Sequence, residues 1–515
     1  MYNTERYKMN INRRSFLLGS AAAMTLAGCA TSKKGLRPIK EGEKRRIAMI
    51  GYGIQMRTAL IPQFLNKNLA PNLEIVAVCD CDKVRAAAGA KQVNDAYKSD
   101  KCKAVADFRE IINDPTIDAV CIATPDHWHA YMSVEAMKHG KDVYCEKPLT
   151  FSIEEAQKVI EAQKKYGRVF QTGSMQRSWR EFRTAVMIVR NGLIGDVKYV
   201  DANYGRGGAK LGGPSHPVRF WDDPAKVAEE SKPNPDCDWN MWLGPAKWRP
   251  YSDQLAPRGV NKFYPMFWRF DDDLGSGYNG DWGAHHLDIA QWGLDEDKGG
   301  PVKIIRSEES YSSNLYHGGR RQFGMKMIFK KPHGDVELYH GPFGVWGTVF
   351  YGTKGIVAVN RGKIAVWLNT GLVKPTEEIR KALQNDKDLF MKDKIVAESI
   401  GQDYGTDAMA KKDNKLEDAL NKLDKVFDLA NAKVQLYKSS NQVKNFADCI
   451  ETREMTISPA EVGGRSGALC LLCNMSYQYD TGFDWDPVKL DFAGKNCKRL
   501  SIKREVYRNG WDINV

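Results

Sequence analysis

Residues 45–56 read "RRIAMIGYGIQM": a run that is apolar from Ile47 onward, a turn carrying Gly51 and Gly53, and the start of a helical pattern. A short strand apolar on both faces reads as part of a parallel sheet covered on both sides. With a Gly-x-Gly turn and a helix directly behind it, the stretch has the context of a dinucleotide-binding turn. Gly51 makes the tight bend, Gly53 lets a pyrophosphate approach the backbone, and Ile54 borders the same turn. Met56 stands where that pattern has a third glycine, so helix and strand are expected to sit slightly further apart there.

Outward from this turn the pattern repeats. "LEIVAVCD" (73–80) and "IDAVCIATP" (117–125) are further buried strands, with helical segments such as "VADFREIINDP" between them. Strands alternating with helices imply a doubly wound α/β sheet. Asp80 ends the second strand, where a carboxylate accepts hydrogen bonds from ribose hydroxyls and repels a ribose phosphate, which selects NAD over NADP. The long interval from Gly51 to Asp80 is assigned to a loop around "NKNLAPN". "KDVYCEKPLTFSIEEAQKVIEAQKKYG" (141–167) adds a strand, a Lys-Pro turn and a helix opened by the capping box Ser152-x-x-Glu155. A first domain over 45–168 follows.

Beyond it, short strands with Gly and Pro punctuation, among them "VKYVDANYG", "QFGMKMIFKK" and "GTVFYGTKGIVAVNRGKIAVW", predict a second domain over 169–515 on a large, mostly antiparallel sheet. Residues 374–440 are charged and read as a helical insertion, "LEDALNKLDKVFDLA" carrying an apolar stripe.

Two stretches hold the residue types needed to oxidise an alcohol. In "CEKPL", Lys147 lies at the carboxyl edge of the first sheet, where such folds bind ligands, and Pro148 sets its direction. A lysine aimed at a substrate hydroxyl stabilises the developing alkoxide. In "GSGYNGDWGAHHLDIAQWGL" (275–294), Asp281, His285 and Asp288 fall at i, i+4 and i+7, on one face of a helix. His285 is suited to take the hydroxyl proton, and Asp281 to orient it or to hold the substrate. His286 points to another side and is a further candidate substrate contact. The alternatives are a core histidine capped by its carboxylates, or a divalent metal site, for which no thiolate or further carboxylate completes a set by spacing.

The formal charge of +12 suggests nucleic acid until it is located: residues 1–46 hold eleven Lys/Arg against three Asp/Glu. The dispersed remainder reads as a solvated surface, so no nucleic-acid partner is expected. That basic end contains "INRRSFLLGSAAAMTLAGCATSKKG" (11–35), with paired Arg13 and Arg14, an apolar run and a Leu-Ala-Gly-Cys box. It predicts a twin-arginine signal over 1–29, lipid on Cys29 and a tether over 30–44, hence an exported, periplasmic protein on a lipid anchor. The apolar run is too short for a permanent span. Of eleven cysteines, Cys79, Cys121, Cys145, Cys470 and Cys473 sit in apolar runs and read as core, the C-x-x-C at 470–473 included.

These motifs together resemble the Gfo/Idh/MocA oxidoreductases, over nearly all of 45–370 and 440–515; the most specific segment is "IDAVCIATPDHWHAYMSVEAMKHGKDVYCEKPLT". The resemblance implies a Rossmann-type domain followed by an α+β domain, NAD as cofactor, a sugar or glycoside substrate and a homo-oligomer formed through the broad sheet. It makes Lys147 the lysine that contacts substrate and nicotinamide, Asp281 the family aspartate and His285 the proton-transfer residue. Thr124 and Pro125 match the loop bordering the nicotinamide, and Glu146 stands with Lys147 on the cofactor side. His129 fits a structural histidine, while Trp128 and Arg177 are candidates for the substrate pocket with packing as the alternative. Eight of the thirteen tryptophans fall between Trp179 and Trp292, flat faces suited to pyranose rings. The implied reaction is hydride transfer at a ring hydroxyl with a cofactor carried out of the cell in place. The alternative is transient oxidation with elimination of a glycosidic substituent; a non-catalytic sugar-binding lipoprotein conflicts with the Lys147, Asp281 and His285 set.

Overall fold

Six parallel strands carry the first domain: β1 (Arg45–Ile50), β2 (Leu73–Cys79), β3 (Lys103–Val105), β4 (Ala119–Ile122), β5 (Asp142–Cys145) and β6 (Phe170–Thr172), in the order β3-β2-β1-β4-β5-β6. The computed structural model describes residues 37–203, 229–260, 267–271, 273–277, 279–306, 325–341, 346–384, 391–400, 414–479, 481–494 and 500–515. Residues 39–515 form the unit described below, and the expected signal, Cys29 and residues 30–36 of the tether lie outside the described residues.

The helix after β1 opens with a π-helical turn, Met56–Leu60, before α1 (Ile61–Leu65). Its wider backbone takes in the fully buried Met56 side chain, where a third glycine would allow an ordinary turn. α2 (Lys83–Tyr97) starts at Asp82, whose carboxylate accepts from the amides of Val84 and Arg85. α3 (Phe108–Asn113) and α4 (Asp126–Lys138) follow. α5 (Ile153–Tyr166) carries the capping box, with Glu155 N donating to Ser152 Oγ at 3.2 Å and Ser152 N to Glu155 Oε2 at 3.2 Å. β6 pairs with β5, so this sheet runs past the expected boundary at 168.

The second sheet has ten strands among the described residues. After α6 (Arg180–Arg190) these are β7 (Val197–Asn203), β8 (Lys303–Arg306), β9 (Met325–Lys331), β10 (Gly334–Gly341), β11 (Thr348–Gly352), β12 (Gly355–Asn360), β13 (Lys363–Leu368), β14 (Ile395–Ile400), β15 (Phe483–Asp486) and β16 (Asp491–Ala493). All pairings are antiparallel except β7 with β10. Between β7 and β8 come α7 (Trp239–Leu243), a π-helical turn at Asn279–Gly283 and α8 (Ala284–Gly293).

The insertion expected to be helical differs in part. It holds α9 (Glu377–Gln384) and α10 (Asn414–Phe427), but β14 between them extends the sheet beside β13. α9 lies over the sheet face that carries Trp346, Tyr351 and Trp367, where Arg380 forms a buried ion pair with Asp201 at 2.9 Å. The closing segment returns to the first domain. α11 (Gln442–Thr452) places Phe446 against Phe64 and Tyr144, and Arg453 donates to the buried Asp142 at 2.6 Å. α12 (Ala460–Gln478) packs on α5 and α8.

Arg177 corrects one expectation. It is not in the wall of the cavity at the strand ends: it is 1 % exposed and its guanidinium forks onto Asp288 at 2.8 Å and onto Asp297 at 2.7 Å. Ser466 Oγ also donates to Asp288. Asp288 is thereby held in the packing between helices rather than beside His285. Arg177→Leu leaves two carboxylates without their cation, and losing one partner of a buried pair costs about 3–5 kcal/mol. The expected result is a fall of that size in the urea unfolding free energy; a loss under about 1 kcal/mol is at odds with this role.

Candidate functional site

The carboxyl ends of β1, β2, β4 and β5 open onto one cavity of about 490 Å³ that continues to the π-helical turn and α8 of the second domain. Gly51 turns the chain with φ +89°, and a Cβ there would lie 2.8 Å from Ala123 O, so only glycine lets the loops after β1 and β4 come this close. The space over Gly53 is open. Asp80 accepts from the Tyr52 amide at 2.8 Å and from the Asp82 amide at 2.9 Å. Each oxygen keeps a lone pair for a further donor. Burial raises the Asp80 carboxyl, with Arg85 and the two amides working against the shift.

Ile54, Thr124, Pro125 and Glu146 line the same cavity. Thr124 Oγ1 is buried with no hydrogen-bond partner among the described groups. Glu146 accepts from Gln55 Nε2 at 3.2 Å, and burial raises its carboxyl against the Lys147 charge. A tight glycine bend, open room over Gly53, a ribose-facing carboxylate and an orphaned hydroxyl fit a nicotinamide dinucleotide laid along the strand ends.

Lys147 follows β5 after Glu146, and its bond to Pro148 is cis. His129 braces the turn: its Nδ1 lies 2.7 Å from Pro148 O and its Nε2 2.9 Å from Thr124 O. Lys147 Nζ donates to Asp281 Oδ1 at 2.7 Å and to Asp281 O at 2.9 Å. Arg269 approaches the same Asp281 Oδ1 at 3.3 Å. Burial would raise the Asp281 carboxyl; Arg269 and Lys147 together outweigh it and hold the group well below the usual carboxylate range.

His285 shares the cavity wall with Lys147 and Asp281. Burial, then the Arg361, Lys147 and His286 neighbours, hold its imidazole well below the ordinary 6.5. It is therefore neutral at pH 7, and its Nδ1 is buried without a partner among the described groups. A lysine that is charged and oriented, beside a neutral imidazole, can stabilise an oxyanion and accept a proton at one centre.

Of the residues singled out in the sequence, Gly51, Gly53, Ile54, Asp80, Thr124, Pro125, Trp128, Glu146, Lys147, Asp281 and His285 all line this cavity. Trp128 does so at the edge of a packed aromatic cluster with Phe108, Tyr131 and Trp511, its N–H donating to Met241 O at 3.1 Å. His286 is not in the wall: it is buried and stacks on Trp282, because one residue further along α8 turns it toward the second sheet, where Thr348 Oγ1 donates to its carbonyl.

Sequence reading missed Arg269 and Arg361. Arg361 sits in the two-residue hairpin between β12 and β13, over the Trp282 ring at 4.7 Å, and donates to Gln176 Oε1 at 3.0 Å. "NRGK" signals the turn but not its direction. Trp242, Trp268 and Trp282 also line the cavity. Among the described residues no three His, Cys, Asp or Glu side chains gather as a metal site.

Comparison with known proteins agrees with this arrangement. Inositol 2-dehydrogenase of Salmonella paratyphi B is 36% identical over 129 residues, 25% of this chain and 37% of the relative. A glycosyl hydrolase family 109 protein of a Shewanella species is 30% identical over 213 residues, 38% of this chain and 46% of the relative. The chain thus spans less than half the length of these curated relatives. Levoglucosan dehydrogenase, solved with NADH and levoglucosan, shares the fold with a TM-score of 0.52 at 16% identity, over 86% of this chain and 99% of that one. Residues 45–174 match the oxidoreductase family's NAD-binding Rossmann domain and residues 217–317 its C-terminal alpha/beta domain, and the chain belongs to that family, Gfo/Idh/MocA.

Proposed function

We propose that the protein interconverts a ring hydroxyl and a keto group of a sugar or glycoside by hydride transfer, with NAD held tightly through turnover. The observation that carries this reading is that Lys147 and His285, from different domains, line the cavity that begins at the Gly51 turn and Asp80. NAD, when bound, supplies the hydride acceptor. Lys147 Nζ has three donors and gives two to Asp281, which leaves one for a substrate hydroxyl oxygen. Asp281 keeps that lysine aimed, and neutral His285 takes the hydroxyl proton. The tryptophans of the wall offer flat faces to a sugar ring.

The second reading, transient oxidation followed by elimination of a glycosidic substituent, is favoured by the glycosyl hydrolase family 109 relatives. It uses the same residues. The two separate on stoichiometry: aglycone released without lasting nicotinamide reduction supports elimination, keto-sugar formed mole for mole with reduced nicotinamide supports net redox. Protein purified without added nucleotide is expected to release NAD on denaturation and to gain reduced-nicotinamide absorbance with a reactive glycoside. Lys147→Ala and His285→Ala are each expected to lower kcat/KM by about 10²–10⁴-fold; unchanged turnover in both variants removes this assignment.

Because burial, and after it the cations beside the imidazole, disfavour its protonation, His285 stays in its basic form below pH 6.5. The acid limb of kcat/KM is expected below the ordinary 6.5. Removing the neighbouring charge with Arg361→Met raises the imidazole pKa and moves that limb upward; a limb that stays in place assigns it to another group.

The export reading is part of this proposal. The paired Arg13 and Arg14 and the box ending at Cys29 support passage of the folded enzyme, cofactor included, to a periplasmic, lipid-anchored location, and the broad second sheet supports a homo-oligomer. Cys29→Ser is expected to move the protein from the membrane to the soluble fraction, and Arg13→Lys with Arg14→Lys to hold it inside the cell. Fractions unchanged in both variants overturn the anchor and the route.

A further inference from the structure

Nine of the eleven cysteines fall among the described residues, and seven of these are buried. Cys81 and Cys237 are the two that are half-buried. They belong to different parts of the chain and meet at the edge of the cavity.

Cys81 directly follows Asp80 and lines the cavity on the adenosine side. Cys237 precedes α7 in the segment 229–260, which supplies Met241, Trp242, Leu255, Ala256 and Pro257 to the opposite wall. The two strands of chain are already joined. Asp82 and Cys237 face each other as an isolated antiparallel bridge, with Asp238 N donating to Cys81 O at 2.9 Å and Lys83 N to Asp236 O at 2.8 Å. Asn234 Nδ2 also donates to Asp82 at 3.1 Å.

Residues opposite one another in such a bridge have Cα atoms about 4.5–5.5 Å apart. One step along the strand adds about 3.4 Å at right angles. Cys81 and Cys237 are then separated by about 6 Å, inside the range of about 4.4–6.8 Å that a disulfide spans. Their thiols interact directly, and that contact, with burial, keeps the Cys81 proton on.

We infer that Cys81 and Cys237 form a disulfide that fastens the 229–260 wall to the end of β2, across the cofactor side of the cavity. The oxidant is a disulfide of a thiol-oxidising enzyme or small molecule. One protein thiolate attacks it to give a mixed disulfide and one thiol, and the second protein thiolate displaces the other thiol. One S–S bond breaks and one forms; the two protons and two electrons lost by the cysteines leave in the two thiols. An oxidising compartment supports such a bond.

The consequence for the cofactor rests on the NAD reading above, whereas the bond itself does not. Joining the two walls removes the opening motion through which a dinucleotide leaves, so reduction is expected to speed NAD release by at least about tenfold, one decade in a rate.

The test uses the full-length protein, extracted in detergent with thiols blocked by N-ethylmaleimide, and the same protein after exposure to oxidised glutathione. Non-reducing peptide mapping is expected to find the Cys81 and Cys237 peptides joined, two hydrogens lighter than their sum, with fragment ions placing the bond at Cys81 rather than Cys79. The joined peptide is expected to vanish with dithiothreitol and in both Cys81→Ser and Cys237→Ser. Maleimide on both cysteines after oxidation, or a bond from Cys237 to another residue, overturns the inference. Release of NAD from the oxidised protein is then followed with and without dithiothreitol. Acceleration in the native chain and none in Cys237→Ser supports the clamp, and equal rates in the native chain overturn it. A joined peptide in protein that holds no dinucleotide leaves the bond established and overturns the NAD reading instead.

Discussion

The pairing of Lys147 with Asp281 is the contact on which the rest of the site depends. It joins the carboxyl edge of the parallel sheet to the π-helical turn of the second domain, with Nζ bonded to both the side chain and the carbonyl of Asp281. A buried carboxylate between a lysine and Arg269 stays ionised. A buried pair of this kind is held by both partners, and removal of either leaves the other's charge uncompensated in the wall.

Charge in this wall also sets the state of the histidine. Arg361 and Lys147 add to burial in keeping His285 neutral, so the imidazole stands as a base while the lysine stands as a cation. Proton acceptance and oxyanion stabilisation need these opposite states side by side. The arginine is placed for this by a two-residue hairpin whose Gly362 takes φ +70°, and by stacking over Trp282. A large sheet therefore has a local electrostatic consequence: one of its turns carries a charge to the cavity.

A second set of buried charges serves cohesion. Arg177 with Asp288 and Asp297 ties the turn after β6 to α8 and the loop that follows it. Arg453 on Asp142 ties the returning C-terminal segment to β5, and Arg168 on the same carboxylate ties the approach to β6. Both lie outside the cavity wall, and the same residue types there hold helices in place rather than meet a ligand.

What the sequence determined by itself were features written in neighbouring residues. The parallel strands, the Gly51 turn and the Ser152–Glu155 capping box depend on local periodicity and backbone chemistry and stand in the structure as read, whereas Asp281 and His285 share the cavity across a π-helical turn and Asp288 does not join them. Only the tertiary structure decided which charged side chains share the cavity. Arg361 arrives from a hairpin far along the chain, Arg177 is drawn away by two carboxylates, and His286 turns to Trp282 one residue beyond His285. Likewise the strand β14 within the insertion forms against β13 and not from its own charged surroundings. Local spacing fixes a residue's place on its element, but the partner that holds it depends on long-range packing, which one stretch of sequence does not encode.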